Sequence, residues 1–163
     1  MLASLGDGPL VALHPYSTHP DKAWLPERWQ ALAEQLDAAG IGWFVVGRGA
    51  KILEAGRGID FTGRTSLRET CALLAAAATL VTGDSGPMHL AGAVGTPVGA
   101  LFGPTTREWG FYPEGARDAI VESAQNCRPC SLHGSKRCDR QGACMADIMP
   151  EAVLESVRRL LAD

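Results

Sequence analysis

The chain has 163 residues, of which 46% are hydrophobic and 20% are charged, and this size and composition are typical of a single globular domain. The net charge of −3 at pH 7 gives no reason to expect a nucleic-acid-binding surface. No apolar run approaches the roughly 20 residues of a membrane-spanning helix, and the N-terminus lacks the pattern of a secretory signal, so we expect a cytoplasmic protein.

The first third of the chain alternates strand-like and helical segments. Residues 9–15 form a short apolar run that ends in turn residues, which predicts a buried strand. Apolar residues then recur at helical spacing over 25–39, with Pro26 near the start and Gly40 just past the end. Residues 41–47 predict a second buried strand.

The middle of the chain predicts a further helix between two strands. A short strand is expected at 58–63. Ser66, followed three residues later by Glu69, forms a capping box, which predicts that a helix begins there and continues through 66–78. The apolar run at 79–84 predicts the next strand.

The second half of the chain continues the same alternation. It predicts a short helix at 86–95, strands at 97–103 and 118–123, and an amphipathic helix at 150–162. Strands that are apolar throughout and alternate with helices indicate a parallel sheet that is covered on both sides. The predicted fold is therefore α/β, a Rossmann-like parallel sheet with helices on both faces.

Polar residues follow the fourth predicted strand, where a purely structural turn would not need them. Asp84, Ser85 and Gly86 lie at the carboxyl end of that strand, where open α/β sheets bind ligands. The first N–H groups of the next helix favour an anion, and both the Ser85 hydroxyl and His89 can face it. Two interpretations remain open: a phosphate or diphosphate site, or a helix cap at Ser85 with His89 in the core.

A family resemblance bears on this choice. The run DSGPMHLAGAVGTPVGALFGPT at 84–105 resembles the signature of glycosyltransferase family 9, the ADP-heptose:lipopolysaccharide heptosyltransferases. The likeness extends to LHPYSTHPDKAWLPERWQALAEQL at 13–36, to GRTSLRETCALLAAA at 63–77 and to the cysteine-rich stretch that begins CRPC. The resemblance implies that the chain is the C-terminal, donor-binding half of a GT-B fold.

This resemblance also implies a domain organisation. Residues 1–8 would be the remnant of an interdomain linker, and 9–163 would be the nucleotide-sugar-binding domain. That domain would include a cysteine-rich loop at 124–149 and the C-terminal helix at 150–162. The N-terminal domain that binds the acceptor in this family has no counterpart in the sequence, so we expect the isolated chain to be inactive in transfer.

The same resemblance implies a donor site, in which Lys22 and His89 would assist the departing diphosphate. Without the resemblance, Lys22 would be a solvated surface charge and Thr65 a residue before a helix cap. Lys51 stands near the place where the family often has an acidic residue for the ribose, and Glu54 follows one turn later. The implied donor-binding residues are Ser17, Thr18, Lys22, Glu54, Thr65, Asp84, Ser85, Gly86 and His89.

The implied reaction is an inverting transfer of a heptose-type sugar from a nucleotide diphosphate donor, ADP-heptose, to a lipopolysaccharide-core acceptor. No cofactor would be needed for catalysis, in keeping with the absence of an Asp-x-Asp motif from the sequence. The full-length enzyme would be cytoplasmic and peripheral to the inner membrane. The alternative is a nucleotide-binding module without catalysis.

Four cysteines crowd into the loop at 124–149, namely Cys127, Cys130, Cys138 and Cys144. In a cytosolic chain such spacing favours metal binding over disulfides, and four thiolates can enclose zinc or iron in a structural site. Free thiols, disulfides and a Cys-x-x-Cys redox centre remain as alternatives. The redox centre is disfavoured because this motif lies in a polar loop and not at a helix N-terminus.

Overall fold

The structure is a computed structural model that describes residues 2–54, 56–130, 138 and 142–162. Its strands are Leu10–His14 (β1), Gly42–Val45 (β2), Ile59–Asp60 (β3), Thr79–Gly83 (β4), Val98–Phe102 (β5) and Ala119–Glu122 (β6). Its α-helices are Pro26–Ala38 (α1), Leu67–Ala75 (α2), Gly86–Ala93 (α3), Ala143–Ala146 (α4) and Pro150–Ala162 (α5). Short 3-10 helices are formed by Leu2–Leu5, Pro20–Lys22 and Arg107–Trp109.

The described strands form one six-stranded sheet in the order β3-β2-β1-β4-β5-β6, and every neighbouring pair is parallel. The chain winds outward from β1 to β3 in one direction and from β4 to β6 in the other. The point between β1 and β4 is therefore the topological switch point, beyond which open α/β sheets bind their ligands. The predicted α/β fold with a Rossmann-like sheet is confirmed.

Helices cover both faces of the sheet and create two core layers. In one layer Trp29 of α1 and Val157 of α5 cluster with Leu13 of β1, and in the other Leu74 of α2 clusters with Ala12 of β1. Ala12 and Leu13 enter different layers because successive side chains of a strand point to opposite faces. Neither these helices nor any other helix in the described ranges is long and apolar enough to cross a membrane.

The helix α2 begins as predicted but ends earlier. Its capping box is present: the Ser66 hydroxyl accepts from the Glu69 N–H at 3.3 Å, and the Glu69 carboxylate accepts from the Ser66 N–H at 2.8 Å. The predicted helix extended through 66–78, whereas α2 ends at Ala75. The Ala78 N–H instead donates to the Leu10 carbonyl at 2.8 Å, so the backbone has already joined the sheet at that point.

The regions predicted to be irregular contain short helices that no periodicity could reveal. The loop at 104–117 includes a 3-10 turn, and the cysteine-rich loop includes the four-residue helix α4. Residues 131–137 and 139–141 of that loop lie outside the described residues. Near the N-terminus, Leu2 and Leu5 pack against the core layer that contains α2 and α3. The assignment of 1–8 as a linker remnant stays a prediction.

Candidate functional site

A cavity of about 650 Å³ opens at the carboxyl ends of β1, β2 and β4, beside the N-terminus of α3. This is the position that the switch point of the sheet predicts for a ligand. The cavity is lined by His14, Tyr16, Ser17, Thr18, Gly47, Arg48, Thr65, Leu67, Thr70, Ser85, Gly86, Pro87 and Leu90.

Five of the sequence-predicted donor residues meet in this cavity. Ser17 and Thr18 come from the loop after β1, Thr65 precedes α2, and Ser85 and Gly86 begin α3. These residues form three groups in the sequence, and residues of different groups are 20 to 69 residues apart. The parallel sheet brings the groups together, because it aligns the carboxyl ends of the strands that precede them. The place of Ser85 and Gly86 at the end of a strand predicted their part in the site, whereas Ser17, Thr18 and Thr65 were implied by the family resemblance.

Ser85 does not cap α3 with its side chain, contrary to the simpler interpretation of the turn. Its hydroxyl lies 2.9 Å from Thr82 Oγ1 and 3.3 Å from His14 Nδ1, while His14 Nδ1 lies 3.0 Å from Thr82 Oγ1. Thr82 in turn donates to the Gly83 carbonyl at 3.1 Å. The network fixes Ser85 at the cavity wall and leaves the N-terminus of α3 without a side-chain cap.

His14 is the buried member of this network, with 6% of its surface exposed. Burial lowers the pKa of the His14 imidazole to about 4, so the ring is neutral at pH 7. The sequence analysis did not select His14. The available signal was its place as the last residue of β1, where a polar side chain ends an otherwise apolar strand.

A turn after β2 completes the opposite wall. Gly47 has φ 123°, and a Cβ there would stand 2.6 Å from the Tyr16 ring and 2.7 Å from the His14 ring, so glycine is required. The Tyr16 hydroxyl hydrogen-bonds Thr62 Oγ1 at 2.7 Å, which holds the ring against this turn. The turn presents Arg48 to the cavity, and this side chain has no hydrogen bond or ion pair among the described residues. Arg48 was also missed, although the pattern Gly-Arg-Gly directly after a strand was a usable signal.

Lys22 and Asp84 form a buried ion pair beside the cavity and are not among its lining residues. Lys22 Nζ lies 2.5 Å from Asp84 Oδ2, and the two side chains are only 9% and 10% exposed. Thr105 Oγ1 donates to the same carboxylate oxygen at 3.3 Å, and the ammonium lies 5.9 Å from the centre of the Phe111 ring. The structure therefore gives Lys22 a protein partner, and its contact with donor phosphate stays a prediction.

The two remaining predicted donor residues are exposed and do not line the cavity. His89 lies on the exposed side of α3. Glu54 is exposed, and its backbone N–H donates to the side chain of Gln30 on α1 at 3.0 Å. Their roles toward the diphosphate and the ribose stay predictions. Lys51, which stands near the expected ribose position, is exposed as well.

The structure describes all four cysteines of the cluster and part of the loop that carries them. Cys144 is buried, and its thiol pKa is raised to about 11, chiefly by burial and further by the nearby Cys130 and Cys138 thiols. Cys127 is exposed, and none of these cysteines is in a disulfide. Across the described ranges, no three His, Cys, Asp or Glu side chains are grouped closely enough to hold a metal ion. The predicted zinc or iron site is therefore not seen in this structure, and the rest of its loop is outside the described residues.

Known proteins with similar sequences support the resemblance. The model of glycosyltransferase family 9 (heptosyltransferase) matches residues 2–139. The chain is 30% identical to lipooligosaccharide heptosyltransferase 2 of Haemophilus influenzae over 177 aligned positions, which cover 98% of this chain and 49% of that protein. The chain thus spans about half the length of the curated relatives that it matches.

Solved heptosyltransferase structures share the fold of this chain. The Escherichia coli ADP-heptose lipopolysaccharide heptosyltransferase II superposes with a TM-score of 0.76 at 25% identity, covering 96% of this chain and 47% of that one. The dodecameric iron-containing heptosyltransferase TibC, solved in complex with ADP-D-β-D-heptose, gives a TM-score of 0.77 at 24% identity, covering 95% and 46%. The family match, a relative at 30% identity and the shared parallel sheet agree, and the chain belongs to glycosyltransferase family 9, the heptosyltransferases.

Proposed function

We propose that this chain is the donor-binding domain of an inverting glycosyltransferase, which moves a heptose-type sugar from ADP-heptose to a lipopolysaccharide-core or related acceptor. The observation that carries the proposal is the cavity at the switch point of the sheet, with hydroxyl groups and the N-terminus of α3 facing the same space. Support for the donor comes from TibC, which was solved with ADP-D-β-D-heptose.

The diphosphate would lie at the N-terminus of α3. Helix N-termini carry partial positive charge and unpaired N–H groups, both of which favour a phosphate group. Ser85 is held at this end by His14 and Thr82, and Thr18 has no hydrogen-bond partner among the described residues. Ser17 instead shapes the loop, because its hydroxyl donates to the His19 carbonyl at 2.9 Å.

The nucleoside would lie toward α2. β1 separates β2 from β4, so the end of β2 is about 10 Å from the end of β4, and the cavity extends across that distance. On the α2 side Leu67 and Leu90 offer apolar surface to a base, and Leu67 is 66% exposed. Thr65 hydrogen-bonds Thr70, which itself donates to the Ser66 carbonyl, so the Thr65 oxygen remains an acceptor for an amino group.

During transfer the bond between the sugar and the diphosphate breaks, and negative charge develops on the departing ADP. Groups that are already oriented toward that charge lower the barrier most. The N-terminus of α3 and Ser85 are proposed to be such groups, because both lie at the cavity wall. Lys22 and His89 are proposed to assist, and Lys22 would then exchange its Asp84 partner for phosphate.

Acceptor binding and the general base are proposed to come from residues outside this chain, since the chain spans about half of its relatives. The isolated chain should therefore bind the donor without transferring the sugar. The reaction would take place in the cytoplasm, with the full-length enzyme peripheral to the inner membrane. A nucleotide-binding module without catalysis is the alternative, and it predicts no turnover even when the longer protein is assayed.

Calorimetry of the 163-residue chain with ADP, UDP and GDP tests the donor site. We expect measurable binding of ADP, which Ser85→Ala weakens roughly fivefold through loss of one hydrogen bond. Arg158→Ala, at an exposed residue of α5 outside the cavity, is the matched control and should leave affinity unchanged. Absence of heat with all three nucleotides would contradict the proposed function.

The cysteine cluster is proposed to hold one structural zinc or iron ion through Cys127, Cys130, Cys138 and Cys144. The spacing of the four cysteines in the sequence carries this proposal, because in the described ranges no three of these side chains are grouped closely enough to hold an ion, and binding would have to bring them together. The bound ion would cross-link the four cysteines, and four protein ligands would leave no open position for catalysis. Elemental analysis of protein purified without chelator decides this: well under one equivalent of zinc plus iron would contradict the site.

A further inference from the structure

The start of the cysteine-rich loop is bound to the backbone that follows β5. The Arg128 guanidinium donates to the carbonyls of Gly103, Ser123 and Thr105, the last at 2.9 Å, and pairs with the Glu122 carboxylate at 2.8 Å. The Arg128 side chain is only 7% exposed. One buried guanidinium thus satisfies three carbonyl groups and one carboxylate, an arrangement that a planar group with five N–H donors can provide.

Two further contacts hold the same backbone. The Cys130 N–H donates to the Pro104 carbonyl at 3.0 Å, so residues 103–105 present three successive carbonyls to the cysteine-rich segment. A Cβ at Gly103 would stand 2.2 Å from Met145 Sδ and 3.1 Å from Cys144 Sγ, so α4 packs directly on this backbone. Residues 103–105 are therefore held between Arg128 and α4.

This backbone continues into the donor site through one side chain. Thr105 is 1% exposed, and its hydroxyl donates to Asp84 Oδ2 at 3.3 Å, the oxygen that also binds Lys22. Asp84 directly precedes Ser85 and Gly86, which line the cavity at the start of α3. A continuous path of hydrogen bonds runs from Arg128 through Thr105 to the turn at the N-terminus of α3.

We propose that Arg128 is a positioning residue for the donor site. It holds residues 103–105 in place, so that the Thr105 hydroxyl fixes Asp84 and the turn that would face the donor diphosphate. The inference rests on the proposed function for its effect on donor binding. Arg128 does not line the cavity, and it acts through the backbone carbonyls that it binds. The cysteine-rich segment then has a role in the cavity although it does not line it.

Two measurements on the full 163-residue chain test this role. The first is the ADP dissociation constant, which Arg128→Gln should raise about tenfold and Thr105→Val roughly fivefold, since each breaks the path. The double variant should bind ADP no more weakly than Arg128→Gln alone, and Thr105→Ser, which keeps the hydroxyl, should bind like the original chain. Arg117→Gln is the matched control and should bind ADP like the original chain. Arg117 donates to the Leu160 carbonyl at 3.1 Å and lies at the amino-terminal end of β6, whereas the cavity lies at the carboxyl ends of the strands.

The second measurement is hydrogen exchange without nucleotide. Peptides that cover 82–90 should exchange faster in Arg128→Gln and in Thr105→Val, whereas peptides that cover 28–38 of α1 should not change. This readout decides the positioning role even if the chain binds no ADP, an outcome that would contradict the proposed function alone. The inference is overturned if a folded Arg128→Gln variant keeps the original ADP affinity and the original exchange rate at 82–90. It is also overturned if the losses of ADP affinity in the two single variants multiply in the double variant. Should Arg128→Gln fail to fold, Arg128→Lys and Thr105→Val decide by the same two measurements.

Discussion

The neutral, buried His14 predicts a specific dependence of stability on pH. Its imidazole pKa is about 4 in the folded chain, compared with 6.5 for an exposed histidine, because burial disfavours the charged form. Between these two values the unfolded chain binds a proton at this position and the folded chain does not. The contribution of the neutral His14 to the free energy of unfolding is therefore fully present above about pH 6.5, and it is lost as the pH falls toward 4.

The size of the effect follows from the shift. Linkage converts the lowering of the His14 pKa from 6.5 to about 4 into a loss of about 2 to 3 kcal/mol of stability between pH 7.5 and pH 4.5. Carboxylates titrate in the same pH range, so the pH dependence of the stability of one protein would not isolate the contribution of His14. A difference between two variants does, because the carboxylates are common to both.

Urea denaturation of the original chain and of His14→Gln at the two pH values is the assay. Glutamine can still hydrogen-bond Thr82 and Ser85 but does not titrate, so His14→Gln should lose about 2 to 3 kcal/mol less stability on acidification. His89→Gln, at an exposed histidine, is the control and should follow the original chain. Equal pH dependence in His14→Gln and the original chain would refute the assignment of a buried neutral imidazole.

Three further variants address the charged groups around the cavity. Lys22→Met should lower the free energy of unfolding by about 3 kcal/mol in urea denaturation, because it leaves the Asp84 carboxylate buried without its cation; an unchanged value would show that water reaches the pair. Asp84→Asn should tighten ADP binding roughly threefold in calorimetry, because it releases Lys22 for phosphate, and weaker binding would argue against that exchange. Arg48 follows β2, on the side of the cavity proposed for the nucleoside, so Arg48→Gln should weaken ADP and adenosine binding equally, roughly tenfold, and leave pyrophosphate binding unaffected. Weaker pyrophosphate binding would place Arg48 at the diphosphate.

The fold was predictable because the sheet is buried on both faces. All five residues of β5 and four of the five in β1 are buried, and such strands must be apolar throughout, which the sequence shows directly. The helix α5 was predicted with its observed bounds, because Pro150 marks its start and its apolar side chains recur at helical spacing. The helix α4 has four residues and completes little more than one turn, so it has no periodicity to detect.

The candidate site was predictable in its position and less so in its contacts. Ser17, Thr18, Ser85 and Gly86 follow strands whose carboxyl ends must meet, so their convergence follows from the topology of the sheet. The pairing of Lys22 with Asp84, 62 residues later, depends on how two loops pack across the sheet, and no local pattern encodes it. The neutral state of His14 likewise depends on burial by neighbouring loops.

The Lys22–Asp84 ion pair explains how a lysine can be buried beside the cavity. A buried ammonium group loses its hydration, and this loss is costly unless a group of opposite charge pairs with it. Asp84 supplies that partner at 2.5 Å, and the Thr105 hydroxyl donates to the same carboxylate oxygen. A diphosphate carries more negative charge than one carboxylate, so it can compete for the same ammonium group. We infer that donor binding exchanges one ion pair for another, and for this reason Asp84→Asn should change ADP affinity in the direction opposite to Ser85→Ala.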